Sequence, residues 1–348
     1  MALKSTLRAA AFLSLSAIAP VAHAKSDGNV LEGVGMTGSE SMMMFALSDY
    51  RLPRDFHEAR LALAKRMGLV GTPGQVTDSW IDFAPVLTYD GNINGGSVGE
   101  SVTISGLEFR VEDDYRAKGG LLVGTQVTAG LRMNVGERTA LELDGYAMAA
   151  WAPEHDMTKT RVQGSACLRR MVNDRVQVRG CLDGYHSSYE LGETRRAGVE
   201  AGMSYAFASF AAFHEIDVSL KQSRYFDDED YNQTTVAAIY TTGRPGPLAF
   251  TAGVQLGTEV EDRIAMREAF MAGVSMMVLD RPTSFLVSLQ NNRGGMFLGE
   301  GRDERVYAVS ANRRVHDHLT VGAAYSVTEA SHEFFQDNAF GVTFNVRF

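Results

Sequence analysis

Several features that would indicate a soluble enzyme or a nucleic-acid-binding protein are missing from this sequence of 348 residues. Proline and cysteine are scarce, with eight and two residues, whereas glycine is frequent, with 35. No apolar run of 18 residues follows residue 24, which excludes helical membrane spans. The formal net charge is −9, whereas binding to nucleic acid requires an excess of basic residues. The 12 tyrosines and 18 phenylalanines suit a sheet protein with exposed aromatic rings.

Sequence patterns that carry chemistry are also missing. Phosphate loops and dinucleotide fingerprints do not occur, and the eight histidines show no metal-ligand spacing. His186 and Ser188 form a His-x-Ser pair that resembles that of lipid A deacylases. The tripeptide is common by chance, however, and the deacylase barrels are much smaller than this chain. We therefore predict no catalytic residue, no cofactor, no metal site and no enzyme activity.

The first 24 residues have the parts of a secretory signal peptide. Lys4 and Arg8 form a short basic start, residues 9–21 are apolar, and residues 22–24 read Ala-His-Ala, a small-x-small cleavage site. The apolar stretch is too short for a spanning helix. We predict that residues 1–24 are a signal peptide and that the general secretory pathway exports the chain.

From about residue 79 onward, apolar residues recur at every second position, as in β-strands. In the last segment the apolar face consists of Phe340, Val342, Phe344, Val346 and Phe348, and the other face of Gly341, Thr343, Asn345 and Arg347. Segments of about 10 to 15 residues can cross a bilayer at a tilt. Because no backbone group can stay unpaired in lipid, such strands must close into a ring. The sequence predicts an all-β fold, a closed antiparallel transmembrane β-barrel over residues 79–348.

The end of the chain predicts where this barrel is assembled. Phe344, Val346 and Phe348 resemble the C-terminal signal that the bacterial barrel-assembly machinery reads. We predict that this machinery and outer-membrane lipid are partners of the chain. The predicted location is therefore the cell outer membrane.

Short turns and longer loops alternate between the predicted strands, as they do in bacterial outer-membrane barrels. Strands that begin near residues 80, 118, 137, 158, 175, 194, 211, 230, 246, 264, 283, 304, 318 and 337 give a count of fourteen. The count treats residues 93–117 as one long external loop with its own hairpin, and it fails if residues 101–112 form a span. The acidic run at residues 227–230 is predicted to be solvated, with bridging of Ca²⁺ or lipopolysaccharide as the alternative.

The two cysteines, Cys167 and Cys181, flank a predicted turn at residues 173–175 whose centre lies midway between them. In a hairpin that closes there, the two side chains lie opposite each other on one face. Directly opposed cysteines are close enough for a disulfide in an oxidising compartment. Two possibilities stay open, a cross-strand disulfide or two small residues in adjacent strands.

Residues 25–78 differ in pattern from the rest of the chain. Residues 25–40 are rich in Gly and Ser and are predicted to be disordered. The row from Arg54 to Met67 predicts one helix, which glycines and a proline at residues 68–74 end. We predict a small periplasmic segment, or a plug for the barrel.

The stretch from Ala84 to Gly96 resembles the opening barrel strand of surface lipoprotein assembly modifiers, which begin with a Tyr-Asp-x-Asn-Ile-Asn-type sequence. The residues that carry this resemblance are Pro85, Tyr89, Asp90, Asn92, Ile93 and Asn94. Residues 302–314 look like the charged start of a late strand in that family, and residues 334–348 are compatible with its ending. The resemblance covers residues 80–348 and implies a barrel of fourteen strands.

The resemblance also implies a function, a translocator that delivers or displays lipoprotein clients at the cell surface. Members of that family carry periplasmic tetratricopeptide repeats, whereas residues 25–78 have room for one 34-residue repeat at most. Two other functions stay open. Gly, Thr, Gln and Arg on the inward faces fit a passive porin-like channel for small solutes, and the acidic loops fit a structural or adhesive surface protein.

Overall fold

The chain folds into a closed antiparallel β-barrel with short helices before it. The computed structural model describes residues 29–48, 54–97, 99–104, 107–210, 212–226, 230–297, 299–332 and 335–347. The helices are α1 (Asn29–Thr37), α2 (Glu40–Ala46) and α3 (Arg54–Arg66). The first three strands are β1 (Val76–Asp90), β2 (Ser101–Ile104) and β3 (Leu107–Arg110), and a 3-10 turn at Asp113–Tyr115 follows them. The remaining strands are β4 (Gly120–Gly136), β5 (Thr139–Ala152), β6 (Met157–Met171), β7 (Val176–Tyr189), β8 (Gly192–Ser209), β9 (Ala212–Tyr225), β10 (Tyr231–Arg244), β11 (Leu248–Gly257), β12 (Ala265–Val278), β13 (Arg281–Phe297), β14 (Glu300–His316), β15 (Leu319–Ala330) and β16 (Asp337–Arg347).

Fourteen of the described strands form one ring, in which β1 pairs with both β4 and β16. The strands β2 and β3 pair only with each other in this description and form a separate hairpin within the connection from β1 to β4. The predicted fourteen-stranded barrel and the predicted long loop with its own hairpin are therefore confirmed. Residues 101–112 do not form a span.

Side chains alternate between the outside and the lumen of the barrel along each strand. On the outside, Leu182, Val199 and Leu220 are 63%, 52% and 53% exposed. On the inside of the same three strands lie charged residues that pair with one another. An apolar exterior around a polar interior, with every strand edge paired, is the arrangement of a transmembrane β-barrel.

The two ends of the barrel differ. At one end, here called the turn end, consecutive strands are joined by tight turns, and the helices lie there. At the other end, the loop end, lie the connections β1–β4, β11–β12 and β15–β16. The alternation of short turns and longer loops in the sequence also predicts longer loops near residues 189–193 and 292–303, and this prediction is wrong. Instead, the ladder between β7 and β8 continues to Tyr189 and Gly192, and that between β13 and β14 to Phe297 and Glu300. A bulge in β13 between Asn292 and Gly295 shifts the register without ending the pairing.

Within the described residues, the segment before the barrel contains three helices, whereas the sequence predicted one. The predicted helix at Arg54–Met67 agrees with α3 to within one residue, and β1 begins at Val76. The predicted disorder of residues 25–40 is wrong for residues 29–40, which include α1 and the start of α2. Ser39 caps α2 by accepting a hydrogen bond from the Met42 backbone, and burial of the apolar faces stabilises both short helices.

Some predicted features lie outside the described residues, namely the signal peptide at residues 1–24, Phe348 of the assembly signal and the acidic residues 227–229. Phe344 and Val346 belong to β16 and alternate with Thr343 and Asn345 as predicted. Within the described residues, no helix is long and apolar enough to cross a membrane.

Candidate functional site

The helices occupy the mouth of the barrel at its turn end. We call residues 29–48 and 54–70 the plug. Its helix α1 packs against β10, β11 and β12, α2 against β8 and β9, and α3 against β1. The apolar core between plug and wall consists of Val34, Met42, Met43, Met44, Ala46, Leu47, Leu63, Ala64, Met67, Leu69, Ala140 and Met171. Because buried methionines fill irregular gaps well, this core suits a seam between helices and a curved wall.

Two carboxylates fix the plug to the wall. Glu40 of the plug accepts a hydrogen bond from Arg132 of β4 at 2.8 Å, and the same guanidinium bonds Glu142 of β5 at 3.0 Å. On the other side, Glu215 of β9 accepts hydrogen bonds from the hydroxyls of Ser39, at 2.7 Å, and of Ser41. These charged contacts are largely buried, so salt in the solvent screens them less than it screens surface pairs.

A close backbone contact sets the depth of the plug. A Cβ atom on Gly33 would overlap the carbonyl oxygen of Arg244 in β10. A Cβ atom on Gly243, next to Arg244, would lie 2.7 Å from the carbonyl group of Gly33. Since only glycine permits this approach of two backbones, α1 is seated directly on the strand.

Charged side chains in the lumen form two clusters on β7, β8 and β9. In the first, the inner cluster, Arg179 of β7 donates to Glu200 of β8 at 3.0 Å and to Asp217 of β9 at 2.5 and 2.9 Å. Ser204 of β8 also donates to Asp217. One guanidinium is thus shared by two carboxylates, and two further cations lie beside them, since Lys221 of β9 is directly opposite Glu200 and Arg169 of β6 is directly opposite Arg179.

The second group, the outer cluster, lies nearer the loop end and has the opposite composition. Asp183 of β7 pairs with Lys221 of β9 at 2.6 Å and with Arg196 of β8 at 3.4 Å. The Arg196 guanidinium also lies over the ring of Tyr185, 5.5 Å from its centre. Here one carboxylate is shared by two cations, which leaves an excess of positive charge.

In both clusters, a side chain of β7 contacts a side chain of β9 across β8, at a position where β8 has a glycine. A Cβ on Gly202 would lie 2.6 Å from Cζ of Arg179, and one on Gly198 would lie 2.6 Å from Oδ1 of Asp183 and 2.8 Å from Cε of Lys221. The missing side chains therefore leave the space through which β7 and β9 meet. Two glycines four residues apart permit two clusters four residues apart.

Cys181 lies on the lumen face of β7 between the charged residues of the two clusters. It is directly opposite Cys167 of β6, with 4.1 Å between the Cα atoms, and the two sulfurs are bonded to each other. The bond joins β6 to the strand that carries one member of each cluster. It lies beside the lumen without being part of either charged group.

An outer chamber of about 190 Å³ occupies the loop-end half of the lumen. Its wall includes Arg196 and Lys221 of the outer cluster and continues along β10, β11 and β13 with uncharged amides. These amides are Gln233, Gln255, Gln290 and Asn292. Near the rim, Arg302 pairs with Glu304 and stacks on Phe335 at 3.3 Å from the ring centre, which fixes the last loop against the wall. The chamber combines an excess of cation with many neutral hydrogen-bonding groups.

The residues that carry the family resemblance lie at the loop end of β1 and serve the fold. Pro85 and Tyr89 face outward, whereas Asp90 pairs with Lys159 of β6 at 2.6 Å. Asn92 donates to the Gly96 carbonyl at 2.8 Å, and Ile93 is buried against β4, β5 and β6. Asn94 is fully buried. It donates to the Arg116 carbonyl at 2.7 Å and accepts from the Lys118 backbone at 2.9 Å. The stretch fastens the long loop to the barrel rim, and a role in lipoprotein delivery stays a prediction.

The His-x-Ser pair does not face the lumen. His186 and Ser188 alternate with the lumen residues Tyr185 and Ser187, which places the pair on the outside of β7. Among the described residues, no group of three or more His, Cys, Asp or Glu side chains is arranged to hold a metal ion.

Comparison of the sequence with known protein families finds no match, and comparison with curated proteins finds none either. Several solved structures are similar in architecture. OprB of Pseudomonas putida is 10% identical, with a TM-score of 0.46 over 84% of this chain and 97% of that one. OpdK of Pseudomonas aeruginosa, solved with vanillate, is 11% identical, with a TM-score of 0.40 over 79% and 100%. The outer membrane protein OprD of the same species is 8% identical, with a TM-score of 0.40 over 81% and 96%. The likeness is one of barrel form alone.

Sequence reasoning identified the polar face of β7 but not the two clusters. The sequence contains a pattern that could have indicated them, because each of the three strands carries opposite charges four residues apart. The pairs are Arg179 with Asp183, Arg196 with Glu200, and Asp217 with Lys221. Residues four apart share one face of a strand, so the pattern places both signs of charge in the lumen.

Proposed function

We propose that this chain forms a channel for small polar solutes in the outer membrane, with the plug as its gate. The observation that carries the proposal is the enclosed polar lumen, in which charged clusters and amides line a cavity inside an apolar exterior. A barrel that only anchored its loops in lipid would gain nothing from charged groups in its interior, which are costly to desolvate. In a water-filled passage charged groups keep most of their hydration, so their desolvation costs little free energy.

In this proposal the turn end faces the periplasm and the loop end faces the outside, as is usual for bacterial barrels. Solutes enter the outer chamber, pass the two clusters and leave past the plug. The plug is held by charged contacts, Glu40 with Arg132 and Glu215 with Ser39 and Ser41, which can open without unfolding the wall. Gating in this proposal is a movement of the plug relative to the barrel wall.

Reconstitution of the purified full chain tests the proposal. Liposomes that contain the protein are placed in isotonic solutions of neutral sugars of increasing size, and their swelling is followed by light scattering. We expect swelling with the smallest sugars and a steep fall with size. Liposomes with heat-denatured protein control for leakage. Swelling no faster than that of the control, for every sugar, would refute the channel.

A further inference from the structure

We infer that the outer chamber binds one neutral ring sugar, which the hydroxyl and amide groups of the chamber wall hold by hydrogen bonds. This inference rests on the proposed channel, because it names the class of solute that the lumen accepts. It follows from buried hydroxyls without a protein partner, from amides that flank a gap in the wall, and from charges that are already paired.

Three hydroxyl side chains on the chamber wall are buried and lack a protein partner. Thr194 of β8, Ser223 of β9 and Thr235 of β10 line the chamber and are 4%, 5% and 9% exposed. Among the described residues, none of the three hydroxyls forms a hydrogen bond with the protein. Because buried polar groups in folded proteins almost always have a partner, these hydroxyls require water or a solute in the chamber.

Two glutamines flank a gap in the chamber wall. Gln255 of β11 and Gln290 of β13 both lie directly opposite Ala269 of β12. Neighbouring strands are about 4.8 Å apart, so the backbones of the two glutamines lie roughly 10 Å apart with only a methyl group between them. Gln290 donates to Asn292 at 2.7 Å, whereas the Gln255 side chain has no partner among the described residues. An amide both donates and accepts hydrogen bonds, as a sugar hydroxyl does, so a hydroxylated ring can bridge the gap.

The loop of residues 258–264, between β11 and β12, folds into the barrel beside these groups. The Gln233 amide donates to the Thr258 carbonyl at 3.2 Å and to the Met266 carbonyl at 2.6 Å, so one side chain holds both ends of the loop. Ile264 of the loop lines the chamber. The loop therefore closes part of the chamber on its outer side, and a solute inside is surrounded by more than the barrel wall.

The size of the chamber and the apolar part of its wall fit a single ring. The volume of about 190 Å³ corresponds to roughly six water molecules. Tyr225 and Tyr231 line the chamber and stack on each other, with 4.6 Å between the ring centres and 7° between the ring planes. A ring sugar has hydroxyls at its edge and C–H groups on its faces. It can therefore contact the tyrosines while its hydroxyls bond the wall.

The charges next to the chamber are paired within the protein, which favours a neutral solute. Lys221 and Arg196 share the carboxylate of Asp183. Near the rim, Arg302 pairs with Glu304. A charged solute would have to compete with these pairs or lose its own hydration without compensation, whereas a neutral solute leaves the pairs intact.

Three sugars with the same ring test the inference. Methyl glucoside is neutral, glucuronate carries a carboxylate and glucosamine carries an ammonium group. Binding of each sugar to the folded full chain in detergent is measured by saturation-transfer NMR at constant ionic strength. We expect methyl glucoside to bind about tenfold more tightly than either charged sugar. Equal binding of the three, tighter binding of a charged sugar, or binding of none would overturn the inference.

Variants test the amide contacts. Gln255→Leu keeps the size of the side chain and removes its hydrogen-bonding groups, so it should weaken binding of methyl glucoside about tenfold. Gln255→Glu adds a carboxylate at the gap and should raise the affinity for glucosamine severalfold, a gain that does not follow from misfolding. Gln222→Leu is the matched control, because Gln222 alternates with the lumen residues Lys221 and Ser223 and faces outward. It should change neither affinity, and equal effects of Gln222→Leu and Gln255→Leu would overturn the inference.

The outcomes separate this inference from the proposed channel, because binding in detergent does not depend on conduction. Swelling with neutral sugars, together with no saturable binding of methyl glucoside, would refute the sugar site and leave the channel in place. Binding of methyl glucoside to a protein that gives no swelling would refute the channel and leave the site in place.

Discussion

Arg179 and Asp183 lie four residues apart on the lumen face of β7, and each is the shared partner of two oppositely charged side chains from β8 and β9. The same three strands thus build two clusters of inverted charge, one above the other along the barrel axis. The two clusters adjoin, because Lys221 of the outer cluster lies directly opposite Glu200 of the inner cluster. Their three cations and three carboxylates therefore form one balanced network on the lumen wall.

The glycine gaps in β8 are required for the clusters. In Gly202→Ala the new methyl group meets the Arg179 guanidinium, and we expect a loss of about 1 to 3 kcal/mol in the free energy of unfolding. Urea titration in detergent, followed by tryptophan fluorescence, measures this loss. Gly180→Ala on the outside of β7 is the matched control, because a Cβ there meets nothing within 4 Å. Equal stability of the two variants would contradict the role of the gap.

The contact between Glu40 and Arg132 should act as the latch of the plug. Glu40→Gln removes one charge from a charged hydrogen bond, while Arg132 keeps its bond to Glu142. If the free energy that favours the closed position of the plug falls by roughly 1.5 kcal/mol, the open probability rises about tenfold. Single-channel recording in planar bilayers measures that probability. Glu58→Gln, on the plug helix α3, is the control, and an open probability in Glu40→Gln no higher than in the control would exclude the latch.

Asn94 should hold the long loop to the barrel rim. Asn94→Ala removes three hydrogen bonds. The side-chain NH2 group of Asn94 donates one to the Arg116 carbonyl, and its side-chain oxygen accepts the other two from the backbone N–H groups of Gly96 and Lys118. Unpaired buried groups cost about 1 to 3 kcal/mol, so the loop should open locally while the ring stays intact. Limited proteolysis of intact proteoliposomes should then cut within residues 99–119. Tyr89→Phe, which faces outward, is the control, and an equal cleavage rate in the two variants would contradict this role.

The bond between Cys167 and Cys181 should stabilise the barrel without affecting its passage. The cysteines are 14 residues apart, and closing a loop of that length stabilises a fold by about 3 kcal/mol in the chain-entropy account. Reduction of the wild-type protein should lower its urea midpoint, whereas reductant should not change the midpoint of a Cys167→Ser/Cys181→Ser variant. Liposome swelling should be the same for both proteins. An unchanged wild-type midpoint on reduction would refute this stabilisation.

The alternation of apolar and polar residues was enough to predict the barrel, because a transmembrane strand must present one face to lipid and one to the lumen. The last strand and the strand with Val176, Val178 and Leu182 illustrate this. The plug was harder to predict, since α1 and α2 are only nine and seven residues long. Such helices have little intrinsic stability and form because they pack against the wall.

The ion pairs within the clusters could not be predicted, because their geometry depends on how neighbouring strands are staggered. In register, Lys221 lies directly opposite Glu200, yet it pairs with Asp183 two strands away. That contact needs the tilt of the strands and the missing side chain of Gly198. Sequence spacing indicates which charges share a face, whereas the barrel determines which of them meet.

The most direct test of the gated lumen joins the plug to the wall by a bond that can be cut. In a Cys167→Ser/Cys181→Ser background, Ser41→Cys and Glu215→Cys are oxidised to a direct disulfide, because the two side chains are in contact. Ionic current through planar bilayers is then recorded before and after reductant. The account expects a small current in the disulfide-linked protein that rises to the level of the unlinked protein when reductant cuts the disulfide. Equal current in the linked and cut protein would contradict it.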